Sequence, residues 1–202
     1  MEQGRNDVAI IIQPQQIPAL TKNDIAAEIE FSKYVEKCRK HRLANIIENT
    51  SKDHAVILLR NLMGFAKDQK TNIQMVSGRL SPEVYDDLIN DAKLVLDSGC
   101  SIEILTLCTE EDLDGNNFSD FVRGHKAGSV TALGTPDKEI AHFFLTGNAY
   151  RVEVDDTIKK AYASFNDKDG LIVGMLRKEF AELSTHGLGG ERARDSRPVG
   201  AD

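Results

Sequence analysis

The run AHFFLTGNAYRVEVDD, residues 141–156, sets chemically capable side chains among apolar, β-prone residues. His142 opens the first apolar stretch, and Arg151 and Glu153 stand two apart in the second. A neutral imidazole is a competent nucleophile near neutral pH. An arginine offsets negative charge that develops beside it. A carboxylate on the same strand face can pair with that arginine or orient the imidazole. Further on, Ser164 and Asn166 precede Asp167, and Arg79 follows the strand-like segment TNIQMVSG as a second cation.

Those residues need elements to position them. Phe143, Phe144 and Leu145 break at Gly147-Asn148, and Tyr150, Val152 and Val154 then alternate with Arg151, Glu153 and Asp155. A Gly-Asn break between two β-prone runs predicts a hairpin. Upstream, apolar spacing from Asp24 to Glu48 predicts a helix, with a basic cluster at Lys37, Arg39, Lys40, His41 and Arg42. HAVILLRNLMGFAKDQ predicts a buried helix capped by Thr50 or Ser51. SPEVYDDLINDAKLVLDSG predicts one helix, capped by Ser81, with Pro82 at its first position and stopped by Gly99. TNIQMVSG, CSIEILTL and SVTAL read as strands, NNFSDFVRGH as a short helix and GLIVGMLRKEFAELSTHG as a closing helix. Strands separated by helices predict parallel pairing, with segments 73–76 and 102–107 adjacent, and the late hairpin adds antiparallel strands. The fold class is therefore α/β: a mixed sheet flanked by helices, with an N-terminal helical extension. The expected division is an arm and helix over 1–50, the α/β domain over 51–186, and a disordered Gly-rich tail over 187–202. In such sheets ligands gather at the carboxyl ends of parallel strands.

His142 at a strand opening with Ser164-Phe165-Asn166 after it resembles the phospholipase D-like superfamily, where a histidine opens a strand as HxKxxxxD and Ser-x-Asn follows on the next strand. The resemblance implies that His142 is the residue that attacks phosphorus, that Ser164 and Asn166 hold phosphate oxygens, and that the chain is one half of an enzyme whose halves pair across a shared cleft. It therefore implies a homodimer, or a dimer with a related chain. The pattern departs where the family has lysine and aspartate: here stand Phe144 and Ala149. Arg151 or Arg79 would have to replace the lysine, and Glu153 the acid. The reading that follows is a phospholipase D-like domain that has lost catalysis and serves as a dimeric binding or adaptor module. The alternatives are a phosphodiesterase or nuclease with a rearranged site using His142, Arg151 and Glu153, and an exported bacterial or mobile-element effector. Under this reading His142, Ser164 and Asn166 share one cleft at a strand end, and Phe144→Lys strengthens anion binding there.

Composition bounds these readings. The 202 residues are 41% hydrophobic and 28% charged, with a net charge of -7. That balance excludes nucleic-acid binding by bulk attraction and leaves only local contacts to a phosphodiester. Cys38, Cys100 and Cys108 form no CxxC pair, which predicts unpaired thiols in a reducing compartment. EDLDGNN at 111–117 lacks the EF-hand spacing, and His41, His54, His125 and His186 form no HxH or HExxH, so no metal site and no cofactor is expected. With no membrane span and no leader peptide read from the sequence, the expected location is cytoplasmic. Arg192, Arg194 and Arg197 in the tail resemble type IV secretion signals, which is the basis of the effector alternative.

Overall fold

The computed structural model describes residues 22–49, 51–134, 140–155 and 160–192. A seven-stranded mixed sheet runs in the order β1-β7-β6-β5-β2-β3-β4. The strands are β1 (Ile47–Asn49), β2 (Ile73–Ser77), β3 (Ile102–Thr106), β4 (Gly128–Ala132), β5 (Phe143–Thr146), β6 (Ala149–Asp155) and β7 (Lys160–Ser164). The helices are α1 (Lys22–His41), α2 (Lys52–Gln69), α3 (Pro82–Tyr85), α4 (Ile89–Asp97), α5 (Glu110–Leu113), α6 (Asn117–Arg123) and α7 (Leu171–Arg192). The α/β class with a mixed sheet between helices holds.

β2, β3 and β4 are parallel, with Met75 beside Ile104 and Ile104 beside Val130. The other pairings are antiparallel. The hairpin turns at Gly147 (φ 53), the only central residue of that turn with positive φ, as a type II′ turn has. Period-2 alternation sends Ile73, Met75, Ile102, Ile104 and Phe144 to one face, where they pack with α1, α2, α4 and α6. Val76, Leu105, Phe143, Leu145 and Tyr150 meet Val173, Leu176, Phe180 and Leu183 of α7 on the other. Among the described residues, no helix is long and apolar enough to cross a membrane.

The structure redraws several expected boundaries. The helix expected to reach Glu48 ends at His41 in a Schellman turn: Arg42 N–H donates to Arg39 O (3.2 Å) and Leu43 N–H to Cys38 O (3.0 Å). Arg42 takes the left-handed position (φ 49) that glycine usually fills, so no glycine marks the end in the sequence. Released from the helix, residues 47–49 join the sheet edge against β7. The division at residue 50 therefore does not separate two bodies, and Val35 and Cys38 of α1 lie in the common core. The single helix expected after Ser81 is broken by a 3₁₀ turn at Asp86–Leu88. There Arg60 donates to the Asp87 carbonyl (3.2 Å), which a continuous helix would use internally. Ser81 makes no side-chain cap bond, whereas Ser51 caps α2 by accepting from His54 N–H (3.2 Å). Gly99 (φ 88) ends the segment as expected. α7 continues to Arg192, past the expected tail boundary at 187, and Arg194 and Arg197 lie outside the described residues.

Candidate functional site

The strand register lines up the site. Asn49 pairs with Ala161, Ala161 with Glu153, and Glu153 N–H donates to His142 O (2.9 Å). Across β5, Val76 pairs with Phe143, which puts Ser77 beside His142, and Ser77 pairs with Thr106. Asn49, Glu153, His142, Ser77 and Thr106 thus form one polar row on the α2 face, at the carboxyl ends of β2 and β3. The next row on the same face is Ile47, Ala163, Arg151, Phe144, Met75, Ile104 and Val130. Arg151 is its only polar member, which explains why that side chain is buried (6% exposed).

Burying a guanidinium is costly unless its donors are met. Arg151 Nη1 donates to Glu153 Oε1 (2.8 Å) and Nε to Asn49 Oδ1 (3.4 Å). The other carboxylate oxygen, Glu153 Oε2, lies 3.1 Å from His142 Nδ1. Burial alone would raise the Glu153 carboxyl. The hydrogen bond from His142 and the charge and hydrogen bond of Arg151 outweigh it and bring it down to about 2, so Glu153 is a carboxylate at neutral pH.

This triad forms one wall of a cleft of about 280 Å³. The opposite wall is the N-terminal end of α2, Ser51 and Lys52; the roof is the loop Ser77-Gly78-Arg79 and α3, with Glu83 and Tyr85. Gly78 is glycine for a steric reason: a Cβ there would stand 2.7 Å from His142 Cε1. The loop is pinned from behind by Cys108 Sγ, which donates to Gly78 O (3.1 Å). Ser77 Oγ donates to Arg79 O (3.0 Å), and with that proton committed, the 3.3 Å contact between Ser77 Oγ and the Tyr85 hydroxyl has Tyr85 as donor. Burial pushes the Tyr85 phenol up, ahead of the opposing hydrogen bond to Ser77, which keeps that proton in place. Arg79 is exposed, and among the described residues Lys52 has a single ion-pair partner, Glu83 at 3.8 Å, so both are available to an anion in the cleft. The N-terminal end of an eighteen-residue helix adds positive potential.

The structure brings together His142, Arg151, Glu153 and Arg79 and leaves out Ser164 and Asn166. The expected convergence of His142, Ser164 and Asn166 fails for a geometric reason. Ser164 pairs with Tyr150 and so faces α7, on the far side of the sheet, near the hairpin turn instead of the strand opening. Ser164 Oγ accepts from Asn166 N–H (3.3 Å), and Asn166 Nδ2 donates to Arg42 O (3.1 Å). Asn148 Nδ2 donates to Asn166 Oδ1 (3.1 Å) and to Asp167 O (2.7 Å). These residues stitch the hairpin turn to the end of α1. Lys52, Tyr85 and Asn49 are the site residues not singled out from the sequence; Ser51 was read there as a helix cap, and Ser77 as the end of the strand that Arg79 follows. The capping serine was the available signal for Lys52; Asn49 had none.

The position that carries lysine in the phospholipase D-like pattern is Phe144, 1% exposed among the core residues of the α2 face. The expectation that Phe144→Lys would strengthen anion binding is therefore revised. The variant places an ammonium in the apolar row and removes a buried ring, and it is expected to lose at least about 3 kcal/mol of stability. Urea unfolding of the variant checks this; a stable variant with tighter phosphate binding would overturn it.

No family model matches this sequence, and no curated protein does. Among solved structures, the chain is similar to TrmBL2, an archaeal chromatin protein described as showing a novel mode of DNA binding. The TM-score is 0.50 at 11% identity, over 80% of this chain and 60% of that one. The chain thus spans about 60% of that protein's length, and the likeness is one of fold.

Proposed function

We propose that the chain is a phospholipase D-like half-domain whose cleft binds a phosphate-bearing ligand without hydrolysing it, and that it works as a dimeric binding module. The observation that carries this reading is the convergence of an acid-oriented histidine, Arg79, Lys52 and the N-terminal end of α2 on one cleft. Phosphate oxygens suit backbone donors, cations and an imidazole together. The loss of catalysis rests on Phe144 and on the state of Arg151, whose charge is already spent on Glu153 in a buried pair. The remaining cations, Arg79 and Lys52, are surface side chains, poorly preorganised for a transition state. One half of a two-motif cleft leaves its open side for a second copy, which is the basis of the dimer. The net charge of -7 favours a local contact to phosphate over bulk attraction to nucleic acid. The DNA-binding character of the structural neighbour is compatible with a phosphodiester as that contact.

The Arg151–Glu153–His142 chain favours one alternative, a rearranged phosphodiesterase. There His142 would form a bond to phosphorus as the ester oxygen leaves, taking a proton from water, and a second water would then hydrolyse the phosphohistidine to a phosphate monoester and free imidazole. Titration of the isotope-labelled protein with inorganic phosphate separates the readings, together with an assay on bis-p-nitrophenyl phosphate. The expected result is saturable millimolar binding read at His142 and Arg79, weakened about tenfold by Arg79→Ala, and no hydrolysis. Hydrolysis abolished by His142→Ala would establish the alternative, and silence at the cleft would sink both. Sedimentation of the same sample is expected to give twice the chain mass; a monomer at tens of micromolar removes the dimer.

A further inference from the structure

Asn49 sits on β1, two strands away from Glu153, yet it belongs to the polar row. Its side chain is 1% exposed, and its Nδ2 has no hydrogen-bond partner among the described residues. Leaving a buried amide donor unmet works against stability, so a purely structural role accounts poorly for an asparagine here. Its Oδ1, by contrast, accepts from Arg151 Nε across the intervening strand. That reach is possible because β7 presents only alanines on this face: Ala161 and Ala163 are both fully buried, and Ala163 lies directly between Ile47 and Arg151. A larger residue at either would occupy the path of the guanidinium.

We propose that Asn49 is a positioning residue for His142, acting through Arg151 and Glu153 over a shelf formed by Ala161 and Ala163. Asn49 fixes one edge of the guanidinium. The opposite edge then meets Glu153 Oε1 squarely, and the second carboxylate oxygen is turned to His142 Nδ1. Orientation of the cleft histidine is thereby set from the sheet edge, by a strand that contributes no residue to the cleft wall. The inference rests on the anion-cleft reading only for the use to which His142 is put; the chain of contacts stands apart from it.

The test is the imidazole titration of His142, followed by NMR. Among the described residues the charged and titratable groups around this cleft are Lys52, Glu83, Arg79, Tyr85, Arg151 and Glu153, and Asn49→Asp alters none of them. The aspartate keeps an acceptor for Arg151 and removes the unmet donor. It draws Arg151 toward β1 and leaves more of the Glu153 charge to His142. The His142 midpoint is expected to rise by about half a unit or more. Asn49→Ser shortens the side chain without adding charge and is expected to speed exchange of the Arg151 Nε proton and broaden the His142 ring signals. In the unmodified protein that Nε proton is expected to exchange more slowly than the one on Arg39, whose Nε has no partner among the described residues. Equal exchange of the two, or a folded Asn49→Asp protein with an unmoved His142 midpoint, overturns the proposal. Absence of phosphate binding in the unmodified protein would remove the anion-cleft reading and leave the His142 shift standing. Phosphate binding with an unmoved midpoint would do the reverse.

Discussion

Replacing Arg151 by methionine is expected to cost about 3–5 kcal/mol of stability, the range for removing one member of a buried ion pair. The stem of methionine fills most of the space of the arginine stem, so the loss is mainly electrostatic. Glu153, only 27% exposed, keeps its charge with a single partner, and Asn49 Oδ1 loses its donor. The double variant Arg151→Met, Glu153→Leu removes the stranded charge and is expected to recover a substantial part of the loss, because the two changes are coupled through one contact. Urea unfolding of the two single variants and the double variant gives the coupling. A loss below about 1 kcal/mol for Arg151→Met would mean that the pair behaves as an exposed one and does not organise the site.

The same chain makes stability depend on acid. The Glu153 carboxyl, ordinarily at 4.5, stands at about 2 in the folded protein. Unfolded protein therefore binds this proton first as pH falls. The contribution is fully present above about pH 4.5 and is withdrawn between 4.5 and 2. A shift of that size corresponds to about 3 kcal/mol at neutral pH. Other carboxylates titrate in the same range, so the diagnostic quantity is a difference: the stability gap between the unmodified protein and Glu153→Gln. It is expected to be wide at pH 5 and to narrow steadily toward pH 2. Parallel curves for the two proteins across that interval would show that Glu153 is not held as a carboxylate by His142 and Arg151.

How the elements were legible depends on whether their signals are local. The hairpin at Gly147-Asn148, the cap at Ser51, the stop at Gly99 and the adjacency of β2 and β3 all follow from turn chemistry, capping and apolar patterning. β1 was hidden because three residues cannot establish a period, and because α1 ends on an arginine in the glycine position. The break in the helix after Ser81 was hidden because its apolar spacing continues through it, and the Arg60 contact on the Asp87 carbonyl comes from another helix.

The site divides along the same line. The order of residues on one strand determined that Arg151 and Glu153 share a face, because side chains alternate with period two. The hairpin determined that this face meets His142. Parity also decided against Ser164: its place beside Tyr150 turns it to α7, and that parity is set by the register of β6 on β7, which no local pattern specifies. Only the tertiary structure could bring Asn49 to Arg151 across Ala161 and Ala163, or set Ser51 and Lys52 opposite His142. Local sequence carries the direction of each side chain along its own strand; strand order and register, fixed by the burial of the whole sheet between its helices, decide which of those side chains meet.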